Sequence, residues 1–153
     1  MEHTAAIEWS RGEAAFLDQK YPRAHRWRFD GGAVVPGSSS PHVVPEPLSD
    51  PAAVDPEEAF VAALASCHML WFLSIAAQRG FVVDAYADHA TGTMARIAAG
   101  KLGITRVVLR PQVRFHGAAP DAATHKAMHH EAHEACFLAN SVTSEISVQP
   151  VVA

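Results

Sequence analysis

The chain reads as an α+β protein, and three observations carry that reading. Runs of alternating or β-branched residues cluster apart from the helical stretches. Two helical segments stand out, one long and apolar, one shorter and histidine-rich. No internal repeat, P-loop or G-x-G-x-x-G turn marks a regular βαβ fold. The predicted order is β-β-β-α-β-β-α-β. A length of 153 residues fits one domain, residues 1–153, with a core of its own.

"TAAIEWS" gives the first strand and "AAFLDQ" a possible second. "AHRWRFDGG" alternates cleanly, with His25, Trp27 and Phe29 on one face and Arg26 and Arg28 on the other, and Gly31-Gly32 ends it. Residues 36–51, "PGSSSPHVVPEPLSDP", read as a connection, because their prolines work against regular structure. The long helix then has a defined start. Asp55 is the N-cap, Pro56 suits the first helical position, and Glu58 completes a capping box. With Gly80 as its stop, the helix runs for about 24 residues, or about 36 Å. It is apolar nearly all round, so burial on most faces is expected, with a second copy of the chain supplying part of the cover. "FVVDAYADHATGTM" reads as one long strand or a hairpin. "ITRVVLRPQVRFHG" reads as a strand interrupted at Pro111. A second helix is expected from Asp121, its N-cap, to about Asn140, and "TSEISVQPVV" closes the order as a strand.

Composition narrows the function. The hydrophobic fraction is 49%, the charged fraction 18% and the formal net charge −4. No basic block stands out, which argues against nucleic acid as the main partner. "MEHTAAIEWS" lacks the basic and apolar regions of a signal peptide, and a cytoplasmic location is expected. The run from Phe60 to Ala77 is at the lower edge of membrane-spanning length. It holds Ser66, Cys67, His68 and Ser74 and lacks basic flanks, so it reads as a core helix and no membrane partner is expected.

The chemistry concentrates on two cysteines and a set of histidines. Cys67 lies about eleven residues inside the long helix, too deep to draw on the helix dipole. A reactive Cys67 needs another cation, most simply an arginine; an inert Cys67 needs only a place in the core. His68 is a poor base for it, because adjacent helix residues point about 100° apart. His125, His129, His133 and Cys136 share one stripe of the second helix. His129 and His133 have the i,i+4 spacing of metal ligands, but without the glutamate of H-E-x-x-H. Solvated surface histidines are the simpler reading of that stripe.

"DPEEAFVAALASCHML" resembles the first-cysteine motif of the OsmC/Ohr family of thiol-dependent hydroperoxide reductases, and "AHEACFLANSV" resembles the second. The resemblance, to a divergent subgroup, implies an OsmC-like fold: antiparallel sheets around a long central helix, in an intertwined homodimer. It implies that Cys67 is the peroxidatic thiolate, oxidised by an organic hydroperoxide to a sulfenic acid, and that Cys136 resolves it to a disulfide. A dithiol, such as a lipoyl group on a partner protein, would then reduce the disulfide. No cofactor or metal is implied. The family's glutamate matches Glu57, about 15 Å along the axis from Cys67, so the expectation is that Glu57 of one protomer serves Cys67 of the other. The family's arginine has no counterpart just before the helix. Arg23 in "YPRAH" is the expected substitute, with Arg11, Arg26 and Arg28 as rivals. Phe60, Leu64, Met69 and Phe72 are candidates for an apolar substrate wall, or for core. Two other functions stay open: a Cys/His zinc site using Cys67, Cys136, His133 and His129 or His68, and a small-molecule-binding protein of the same fold without turnover.

Overall fold

Short strands separated by turns open the chain. The computed structural model describes residues 1–151. The chain divides into two compact units, Met1–Ala59 and Phe60–Ala153. In the first, β1 (Ala5–Glu8), β2 (His25–Phe29) and β3 (Val34–Gly37) form an antiparallel sheet in that order. The segment "AAFLDQ" is not a strand. It forms turns, with Gln19 at φ 61°, and Phe16 stacks on Tyr21 with ring centroids 4.7 Å apart. Pro36 and Gly37, expected to begin a loop, instead end β3. As β3 is the edge of its sheet, the N–H that Pro36 lacks costs nothing there. Gly37 is required for packing: a Cβ would lie 2.5 Å from Trp27 Nε1 and 2.6 Å from His25 Nε2. The connection that follows is tied back by Ser38, whose buried hydroxyl accepts from the Asp50 N–H at 2.9 Å.

The long helix, α1, spans Pro56–Gln78. Its capping box is reciprocal: the Glu58 N–H donates to Asp55 Oδ1 and the Asp55 N–H to Glu58 Oε1, both at 2.8 Å. Gly80, at φ 81°, turns the chain out, and the Phe81 N–H closes the end on the Ala76 carbonyl at 2.9 Å.

Among the described residues, the second unit holds five strands. β4 (Val82–Asp88) pairs with β7 (Pro111–His116), while β5 (Thr91–Arg96) pairs with β6 (Leu102–Leu109). "FVVDAYADHATGTM" is therefore two strands in two different sheets, not a hairpin. The break before Pro111 separates β6 from β7, and the Arg110 N–H there donates to Asp88 Oδ1 at 2.7 Å. After α2 (Ala122–Ala135), β8 (Glu145–Val148) returns to lie parallel to β6. That pair is the exception to the expected antiparallel sheets. The stretch from β7 through α2 is long enough to make the crossover that parallel strands require.

Two clusters form the core of this unit. Phe72, Ile75 and Ala76 of α1 pack with Val113, Met128 and Ala132, against Phe81, Val83, Tyr86 and Phe115. Nearer the helix start, Leu64 packs with Val107 and Leu109, against Phe60, Val61, Ile104, Ile146 and Val148. By length and mean hydropathy α1 qualifies as a membrane span. Here one face of it seats against sheets and α2, as a core helix does. The opposite strip, Ala62, Ala63, Ser66, Leu70 and Ser74, is exposed, so one chain covers less of the helix than its apolarity demands.

Candidate functional site

Cys67 and Cys136 come together in the second unit. Cys67 projects from the middle of α1 and is half-buried. Cys136 is 1% exposed, and both are free thiols. The second helix ends sooner than its sequence suggests. Cys136 is its C-cap, extended at φ −67°, ψ 112°, rather than a member of the helical stripe. Asn140, expected to be the end residue, instead lies beyond the helix in a short 3-10 turn, Ala139–Ser141, from which its Nδ2 donates to the Glu134 carbonyl at 3.0 Å. The Ala139 N–H donates to Cys136 Sγ at 3.5 Å. Burial raises the Cys136 thiol pKa, a side-chain hydrogen bond with Cys67 raises it further, and the Ala139 N–H opposes both. The gap beside Cys136 is lined by Leu64, His68, Leu109, His133 and Ile146 and leaves no room for a water molecule. The resolving-thiol candidate is thus a dry, protonated sulfur touching a more open one.

The histidine stripe is not surface decoration. His129 is 2% exposed and His68 1%. His68 Nε2 meets His129 Nδ1 at 3.0 Å, the two rings lying nearly parallel. His129 also stacks on Phe72 at 4.2 Å and meets His125 edge-on at 4.7 Å. Burial pushes the pKa of His68 down to about 4, with His133 adding to it. Burial, then His68 and His125, pushes His129 down to about 3. Both are neutral imidazoles at physiological pH. Sequence reasoning missed this pair because its members lie on different helices. The available signal was that Met128 and Ala132, on α2's apolar face, flank His129. No group of three or more His, Cys, Asp or Glu among the described residues is arranged to hold a metal ion, which leaves the Cys/His zinc reading without a geometric basis.

The other two candidate residues belong to the first unit. Arg23 stacks over the Tyr21 ring at 3.7 Å and donates from Nη2 to the Gln19 carbonyl at 3.0 Å and from Nη1 to the Tyr21 carbonyl. It lines a cavity of about 480 Å³ with Trp9, Phe16, Tyr21, His25 and Pro56. Glu57 follows Pro56 in the first turn of α1. Of the rivals, Arg28 pairs with Glu8 at 2.9 Å, Arg11 donates to the Ala14 carbonyl at 2.5 Å, and Arg26 is exposed. Arg23 is the half-buried member of the four. Leu64 and Phe72 are core residues; Phe60 and Met69 are partly covered.

A long core helix bearing one thiol, with a second thiol brought to it from the end of a shorter helix, defines an α+β dithiol protein. Within that class the chain belongs to the OsmC-like family, whose model, described as OsmC-like protein, matches residues 49–151. An OsmC-like protein of unknown function from Vibrio cholerae O1 biovar eltor is 53% identical, with a TM-score of 0.96 over 99% of each chain. The organic hydroperoxide resistance protein OhrB of Bacillus subtilis is 14% identical, with a TM-score of 0.70 over 99% of this chain and 98% of its own. An organic hydroperoxide resistance protein OsmC from Legionella pneumophila is 14% identical, with a TM-score of 0.67 over 99% and 98%. At 14% identity the likeness is one of fold. No curated protein matches the chain.

Proposed function

We propose that this protein is a thiol-dependent peroxidase that reduces organic hydroperoxides. The observation that carries the reading is the approach of the half-buried thiol, Cys67, to the buried one, Cys136, near enough to raise the Cys136 pKa. The Cys67 thiolate attacks the peroxide O–O bond. With one proton taken up, an alcohol leaves and Cys67 becomes a sulfenic acid. The Cys136 sulfur then displaces hydroxide from that sulfenic acid. Its own proton joins the hydroxide as water, and a disulfide remains. A dithiol reductant, a lipoylated protein on this reading, restores both thiols by exchange.

The working form is a cytoplasmic homodimer. The exposed strip of α1 favours it, since an apolar helix with one bare face calls for a second copy. In that dimer, Glu57 and Arg23 of one subunit orient the peroxide at Cys67 of the other, the arginine holding the thiolate. One equivalent of cumene hydroperoxide should consume both thiols of each chain. Cys67→Ser should abolish turnover, and Cys136→Ser should leave a sulfenic acid that a dimedone probe traps. Retention of both free thiols after peroxide treatment would overturn the reading.

A further inference from the structure

Arg23 stands just before β2 and outside its ladder, so loop and side-chain contacts set its position. Its N–H donates to the Leu48 carbonyl at 2.8 Å, and its guanidinium is held by the Gln19 and Tyr21 carbonyls and the Tyr21 ring. Its own carbonyl meets His25 Nδ1 at 2.8 Å. A carbonyl only accepts, so His25 Nδ1 is the donor. On the far side of the ring, Trp27 Nε1 lies 2.7 Å from His25 Nε2. An indole nitrogen only donates, so His25 Nε2 is the acceptor. Both bonds therefore demand the same form of the ring, with its proton on Nδ1 and Nε2 bare. His25 and Trp27 are two residues apart on β2 and share one face of the strand. Gly37, the register partner of His25 on β3, leaves the space in which their bond runs. A Cβ there would lie 2.5 Å from Trp27 Nε1 and 2.6 Å from His25 Nε2.

We infer that His25, locked in its Nδ1–H form by Trp27, is a positioning residue for Arg23, pinning its backbone beside the cavity that His25 and Arg23 both line. The inference rests on the peroxidase reading, in which that guanidinium holds a thiolate and its orientation sets the rate. His25 touches neither thiol nor peroxide on this account; it acts through the arginine.

The test pairs two variants of nearly equal size. His25→Leu removes both ring nitrogens, whereas His25→Asn keeps a donor in the place of Nδ1. His25→Leu should lower kcat/KM for cumene hydroperoxide by about tenfold, the weight of one hydrogen bond, and His25→Asn should recover most of that loss. Two spectra need no peroxide. Imidazole nitrogen spectra of the wild type should show His25 protonated at Nδ1 with Nε2 bare. The Arg23 δ-proton resonances should be moved upfield by the Tyr21 ring in the wild type and in His25→Asn, and return toward their free position in His25→Leu. If His25→Leu does not fold, the wild-type tautomer and the Arg23 shift in His25→Asn decide. A wild-type ring protonated at Nε2, equal kcat/KM in the two variants, or an Arg23 shift that His25→Leu leaves unchanged would overturn the assignment. A wild type without turnover would sink the peroxidase reading instead, and the tautomer and the Arg23 shifts would still decide whether His25 holds the arginine.

Discussion

His68 and His129 are buried imidazoles held well below their ordinary pKa. A free imidazole titrates at 6.5; these two are held at about 4 and about 3. On acidification the unfolded chain takes up their protons first. The stability they confer is therefore complete above about pH 6.5 and drains away as pH falls toward the folded values. Each imidazole contributes a slope of up to about 1.4 kcal/mol per pH unit in that window. The urea midpoint should fall between about pH 7 and pH 5, and fall less steeply in His129→Phe. A midpoint flat across that range contradicts the burial of the pair. The cysteines make a second residue-scale prediction. Cys67 is the more open thiol, whereas Cys136 is buried and held in its protonated form. Iodoacetamide should label Cys67 first in the folded protein, as read by peptide mass spectrometry. Both cysteines were legible in the sequence, because each sits in a motif that is continuous along the chain. The histidine pair was not, because its hydrogen bond joins residues 61 positions apart.

At the scale of elements, what was legible was local chemistry. The Asp55–Glu58 box, the Gly80 stop and the Asp121 cap all act within a few residues of themselves, and all three are found as read. What depends on distant neighbours was not legible. The strand at Val34–Gly37 exists because β2 offers it a partner, and "AAFLDQ" is turns because Trp9 and Tyr21 offer Phe16 a place to stack. Asp55→Ala should remove about 1 kcal/mol from stability by leaving first-turn N–H groups uncapped. A larger effect is expected at Gly92 of β5. A Cβ there would lie 2.6 Å from Val61 Cγ2 on α1, so Gly92→Ala should cost about 1–3 kcal/mol by forcing helix from strand. Urea unfolding monitored by tryptophan fluorescence measures both. An unchanged midpoint for Gly92→Ala would mean that α1 does not pack on β5 this closely.

At the scale of the whole molecule, the α+β class and the family were available from the sequence, since element order and two motifs suffice for both. The extent of α1's cover was not. The single chain leaves Leu70 61% exposed in the middle of an apolar helix. On the dimer reading, Leu70→Asp should yield monomers in sedimentation velocity at micromolar concentration, with peroxidase turnover lost at the same time. A monomeric wild type would remove the basis for placing Glu57 opposite a second chain's Cys67.

The parallel β6–β8 pair also imposes an order of events on synthesis. Arg106 and Glu145 are register partners, yet β7 and α2 are made between them. A ribosome that has released everything through α2 has exposed β6 without the strand that closes its edge. It has also exposed Leu64 and Val107 without Ile146 and Val148, which complete their cluster. Until β8 emerges, the nascent chain presents a bare strand edge and an open apolar seam, the two features that recruit holdase chaperones.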